Sequence, residues 1–176
     1  MRTSRKRRTT LDPAVRLVAY TPAYQAAFRD LNLAWIEQHF TVEPEDRRLL
    51  DDPQSSILDP GGYIAVALWK DEPVGVCGML PLPHDPGFDA ELIKMAVDPR
   101  ARGMGIGLAL GRQVLAKAEA KGWRNIYLES HPKLQPALAL YRKLGFTEIT
   151  GHNSPFARCG IQMSIVLPPS QSLDLR

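Results

Sequence analysis

Apolar and polar positions change their period several times along the chain, and each change marks an element. VRLVAYT (15–21) reads as a first strand, and Pro22 after it suits the first turn of a helix. PAYQAAFRDLNLAWIEQHF then sets Phe28, Leu31, Trp35 and Ile36 at helical spacings. EPEDRRLLDDP (43–53), with five acids and two arginines, is a short polar helix or loop. Gly61-Gly62 break the chain before the strand YIAVALW, and Lys70-Asp71-Glu72-Pro73 reads as a hairpin turn into its partner, PVGVCGML. A proline-rich loop, PLPHDPG (81–87), leads to a fourth strand, ELIKMAV (91–97), ended by Asp98-Pro99. Alternation along that strand sets Glu91, Ile93, Met95 and Val97 on one face.

A row at i, i+4 spacing follows: Ile106, Leu110, Val114 and Ala118 give a helix with one apolar face, stopped by Gly122. NIYLES (125–130) is a fifth strand. Pro136 opens a shorter helix, ALALYRKL, with Gly145 as its stop, and FTEIT and CGIQMSIVL supply the last strands. The order is β-α-α-β-β-β-α-β-α-β-β, with no repeat and no linker. The expected organisation is a basic tail over 1–12, one domain over 13–168 and a C-terminal tail over 169–176.

Between the fourth strand and its helix lies VDPRARGMGIGLALG (97–111), where Gly103, Gly105 and Gly107 alternate behind Arg100 and Arg102. A helix N-terminus exposes unpaired N–H groups, and glycines there let a phosphate approach the backbone. The same glycines would also serve close strand–helix packing. The run is G-x-G-x-G, so the dinucleotide pattern G-x-G-x-x-G is not met, and no Gly-Lys-Ser/Thr follows as a P-loop requires.

Arg102-Gly103-Met104-Gly105-Ile106-Gly107 resembles the Arg/Gln-x-x-Gly-x-Gly/Ala signature of the GNAT superfamily of acyl-CoA N-acyltransferases. Ala96-Val97-Asp98-Pro99 before it and ALALYRKLGF (137–146) after it resemble the family's flanking motifs, so the likeness covers about residues 15–167. It departs from the family at Leu134, where an asparagine is usual. The resemblance implies a mixed α+β fold: a central, mostly antiparallel twisted sheet, splayed parallel strands 4 and 5, and flanking helices. It further implies acetyl-CoA as acyl donor, with pantetheine against Met95, Ala96 and Val97. The pyrophosphate would then lie on Arg102, Gly103, Met104, Gly105, Ile106 and Gly107.

Acetyl transfer to a primary amine needs a neutral amine, a polarised thioester and a proton for the departing thiolate. The resemblance implies direct attack in a ternary complex, with Tyr141 as proton donor and Glu91 as a strand glutamate able to act as base. Tyr141 also reads as an ordinary core aromatic beside Leu138, Leu140 and Leu144, and Glu91 as an exposed strand-end carboxylate. Glu129, or a water chain with no single base, are further candidates. A non-catalytic acyl-CoA-binding sensor or interaction module is the alternative function.

Charge changes the picture once. The 22 basic and 19 acidic residues give +3, but Arg2, Arg5, Lys6, Arg7 and Arg8 lie in the first ten; without them the balance is −2. The basicity belongs to the tail, and nucleic acid is disfavoured as a partner. Two cysteines inside apolar segments, with no signal sequence or membrane span, point to the cytoplasm. The four histidines lack metal-site spacing, so no metal is expected. Acceptor candidates fall in two segments: Trp35, Glu37, Phe40, Glu43, Glu45 and Asp46, and HNSPFARC (152–159). The acids would suit a small-molecule or peptide amine, whereas Arg47, Arg48 and Arg158 would suit a carboxylate, and a solvated charged helix is the plainer reading. A homodimer is compatible with the fold, and a membrane partner is not expected.

Overall fold

Two residues with left-handed backbone, Lys70 (φ 53°) and Asp71 (φ 61°), turn β2 (Tyr63–Trp69) straight into β3 (Glu72–Pro81). Trp69 pairs with Glu72, so the turn has two residues rather than the expected four, and its positive φ values match the twist of the flanking strands. The computed structural model describes residues 10–169; the basic residues of the tail, up to Arg8, and residues 170–176 lie outside the described residues. β1 (Val15–Ala19) flanks β2, and β4 (Ala90–Val97) flanks β3. Next come β5 (Asn125–Ser130), β7 (Ile161–Val166) and the short outer strand β6 (Thr147–Ile149). Every neighbouring pair is antiparallel except β4–β5. This is the mixed, mostly antiparallel sheet expected above.

Helices cover both faces. α1 (Gln25–His39) and α2 (Pro44–Asp51) bury Phe28, Ile36, Leu49 and Leu50 against Ile64, Val66, Val76 and Ile93. On the other face α3 (Ile106–Ala120) and α4 (Gln135–Leu144) cover Ala65, Ala67, Cys77, Met79 and Leu92. The predicted row on α3 is the buried one: Ile106, Leu110, Val114 and Ala118 are all at most 2% exposed. The acidic segment 43–53 resolves as a helix because Glu43 and Asp46 form a reciprocal capping box at its start. A helical turn at Gln54–Leu58, which the sequence did not suggest, drops Ile57 into the core.

The expected alternation in β4 fails at Lys94. Gly78 pairs with Ile93 and Val76 with Ala96, so Cys77 stands opposite two residues, and Lys94 has φ 50°. This β-bulge shifts the period by one. Ile93 therefore packs beneath α1 and α2, while Met95 and Val97 pack on the α3 side.

Gly62, before β2, is enclosed by backbone. A Cβ there would lie 2.4 Å from the Ile57 carbonyl oxygen and 2.5 Å from that of Met79. Neither can rotate away, so Gly62→Ala is expected to cost about 2 kcal/mol or more in chemical denaturation. An unchanged midpoint would show that the segment after Ile57 yields freely.

Candidate active site

β4 and β5 stay together for two pairs only, Ala90–Ile126 and Glu91–Tyr127. Beyond Glu91, β4 continues along β3 to Val97, and β5 continues along β7 to Ser130. The strands diverge because each is held by its outer neighbour. The gap opens into a groove of about 490 Å³. Met95, Ala96 and Val97 line one side, Leu134 and Tyr141 the other, and Arg102, Gly103, Gly105, Ile106 and Gly107 its end. Of the expected coenzyme residues, Met104 does not line it. Its side chain packs on the core and its carbonyl accepts from Asp12 N at 2.9 Å.

The three alternating glycines have three different causes. Gly103 (φ 80°) has open space where a Cβ would stand. Gly105 (φ 78°) caps α3, and a Cβ on it would meet the Thr10 carbonyl oxygen at 2.6 Å. Thr10–Asp12, part of the expected tail, thus packs on this loop. Gly107 lets α4 approach: a Cβ there would lie 2.7 Å from Leu140 Cδ1. Close packing at Gly105 and Gly107 and open space at Gly103 are therefore combined in one loop. The first-turn N–H groups of α3, from Ile106 to Leu108, lie where no intrahelical acceptor is available. Arg100 is committed to Asp98, with Nη2 at 2.9 Å from Oδ2, which leaves Arg102 as the groove's arginine.

A second, smaller cavity of about 120 Å³ lies on the α1–α2 side and meets the groove at Trp35, Met95, Leu134 and Tyr141, which line both. Glu91 and Glu129 line this cavity. Burial, then the neighbouring charge of Glu129, push the Glu91 carboxyl up to about 8, against the opposing charge of Lys94. Burial likewise raises Tyr141, so its hydroxyl keeps its proton. Glu129 accepts from Tyr127 Oη at 3.1 Å and Ser154 Oγ at 2.7 Å. His131 lines the cavity, whereas His152 binds Asp85 (Nε2–Oδ2 2.6 Å) away from it. Among the described residues no group of three or more His, Cys, Asp or Glu is placed to hold a metal.

A family model described as the acetyltransferase (GNAT) family matches residues 24–146. The chain belongs to the GNAT acetyltransferase family. YjgM, an uncharacterized N-acetyltransferase of Escherichia coli K12, is 34% identical over 109 residues, 58% of this chain and 65% of its own. Human N-acetylaspartate synthetase is 31% identical over 117 residues, 66% of this chain and 38% of its own. The chain thus spans less than two thirds of either relative. The solved structure of a GNAT-family acetyltransferase from Staphylococcus aureus Mu50 has the same fold. Its TM-score is 0.78 over 88% of this chain and 100% of that one, at 23% identity.

The GNAT match takes in the glycine loop and α4 and ends before the loop 152–159. That loop holds what the sequence left unread. Asp46, fully buried, accepts from Lys94 Nζ at 2.5 Å and from Arg158 Nη1 and Nη2 at 2.8 and 2.6 Å. Arg158 Nη1 also donates to Glu43 Oε2 at 2.9 Å, and Ala157 N to Glu43 Oε1 at 3.0 Å. Burial pushes the Asp46 carboxyl up, but the bonds from Arg158 and Lys94 outweigh it and hold it at about 2. Glu43 and Asp46 are thus neither a solvated helix face nor open to an acceptor; they fasten α2 to β4 and to the C-terminal loop. A spacing of 48 and 112 residues between partners left no sequence signal.

Asp46→Asn removes the one buried charge between two partly buried cations. It is expected to cost about 3 kcal/mol or more in urea denaturation at pH 7. Because the native carboxyl titrates below its ordinary range, the difference from wild type should shrink as pH falls from 4 toward 2. A variant as stable as wild type at pH 7 would contradict the role of the cluster.

Proposed function

We propose that the protein is an acetyl-CoA-dependent N-acetyltransferase in which a primary amine attacks the bound thioester directly, within a ternary complex. The observation that carries this reading is the meeting of groove and cavity at Tyr141, which lines both. The residues fit the coenzyme's chemistry. Open space at Gly103, the bared start of α3 and Arg102 lining the groove suit a diphosphate. The edges of β4 and β5 beyond Glu91 lack each other as partners, which suits the amides of a pantetheine arm.

Each reactive step then has a group of this chain beside it. Glu91, half-protonated near pH 8, takes a proton from the incoming ammonium. Backbone N–H groups of the diverging β4 polarise the thioester carbonyl. Tyr141, with no hydrogen-bond partner among the described residues and its proton retained by burial, gives that proton to the departing sulfur. No covalent adduct with the protein is needed. Free cysteines, Cys77 buried and Cys159 partly so, support a reducing compartment, the cytoplasm. Among the described residues no helix is long and apolar enough to cross a membrane.

Thiol release from acetyl-CoA with a primary amine tests the assignment. Wild-type kcat/KM should rise with pH through about 8, as Glu91 loses its proton, and Glu91→Gln should abolish that limb. Tyr141→Phe should lower kcat about a hundredfold with little change in acetyl-CoA affinity. Full turnover in both variants would remove these residues from the chemistry. Acetyl-CoA binding without turnover by wild type across a broad panel of amines would favour a coenzyme-binding module.

A further inference from the structure

The smaller cavity is unequal in what it leaves free. Two cations line it, and both are already matched. Lys94 Nζ is 2.5 Å from Asp46 Oδ1, and Arg158 divides its terminal nitrogens between Asp46 and Glu43 at 2.6–2.9 Å. Asp46 has no exposed surface, so either cation turning to a ligand would take a partner from a buried carboxylate. His131 is engaged at one ring nitrogen, its Nδ1 accepting from Lys133 N at 3.2 Å.

The carboxylates are in the opposite position. Glu91 makes no hydrogen bond or ion pair among the described residues, and it faces the cavity. Glu129 accepts from the neutral hydroxyls of Tyr127 and Ser154 and lies beside the Cys159 thiol, neutral groups that hold its position. Trp35, Phe40 and Phe156 supply apolar wall around them, in a space of about 120 Å³. A ligand entering this cavity meets two carboxyls without a hydrogen-bonded cation among the described residues, and two cations already bound to other carboxylates. A carboxylate on the ligand would be desolvated there with no partner.

Resting on the acetyltransferase reading above, we propose that the acceptor is a compact primary amine that carries no carboxylate, of the class that amino-acid decarboxylation produces. Glu91 and Glu129 form the wall that receives its amino group, and the aromatic residues hold its apolar body. The Lys94–Asp46–Arg158 cluster sets specificity indirectly, by keeping two cations out of reach of an amino acid's carboxylate. Glu129 acts here as a specificity residue, apart from any role in proton transfer.

Matched pairs test this, because members of a pair differ only in the carboxylate: tyramine against tyrosine, phenethylamine against phenylalanine, cadaverine against lysine. Thiol release from acetyl-CoA is measured for each, with calorimetric acetyl-CoA binding on the same preparations. The amine should exceed its amino acid in kcat/KM by about a hundredfold or more in at least one pair. Glu129→Gln, close in shape, should reduce that ratio about tenfold and leave acetyl-CoA affinity unchanged. Amino acids equal to or better than their amines, or no turnover of any compound by protein that binds acetyl-CoA, would overturn the acceptor class. A preference unmoved by Glu129→Gln would overturn the role of Glu129. Folded protein that neither binds acetyl-CoA nor releases thiol would instead overturn the acetyltransferase reading itself.

Discussion

The rest of the structure depends on the early parting of β4 and β5. Parallel neighbours in a sheet ordinarily pair along their length, and an interior edge left open forfeits hydrogen bonds that buried backbone rarely goes without. Here the pairing ends at Glu91–Tyr127. The separation is held from outside, by β3 on one strand and β7 on the other, each pairing to the strand's end. The bulge at Lys94 lies on the open stretch. It turns Met95 and Val97 toward α3, leaving Ile93 and Ala96 beneath α1 and α2. One extra residue thus lets a single strand serve both the long groove and the smaller cavity.

The two cavities are maintained by different means. The groove is largely backbone and small residues, and its end depends on close approach: Thr10 against Gly105, Leu140 against Gly107. The smaller cavity is built by charge. Burying Asp46 beside three partly buried ionised groups is costly in isolation, and the cost is tolerable because each is matched at short range and Asp46 also caps α2. The same pairing leaves Glu91 and Glu129 without a hydrogen-bonded cation among the described residues, and the charge of Glu129 adds to burial in raising the Glu91 carboxyl to about 8.

Local signals carried most of the architecture. The i, i+4 row on α3, the prolines opening α4 and the 3-10 turn Pro22–Tyr24 ahead of α1, and the glycines ending α3 and α4 were legible because each acts within a few residues. The glycine loop was legible as a GNAT motif, though its three glycines read as one device and proved to be three. What escaped reading was set by tertiary partners. Alternation in β4 gave no warning of a bulge, since Lys94 is neither glycine nor asparagine and holds φ 50° through its surroundings. Asp46 looked like one acid in a polar run because Lys94 and Arg158 are distant in sequence. The sheet order, with β7 between β5 and β6, likewise rests on pairing that no local pattern encodes.

The central claim is that the opening between β4 and β5, closed at one end by the start of α3, holds an acyl-CoA. Calorimetric titration of the purified protein with acetyl-CoA, beside NAD and ATP, tests it most directly. Saturable one-to-one binding of acetyl-CoA, with no comparable binding of NAD, is the predicted result. Folded protein that ignores acetyl-CoA would contradict it, leaving the glycines as a packing device for Thr10 and α4.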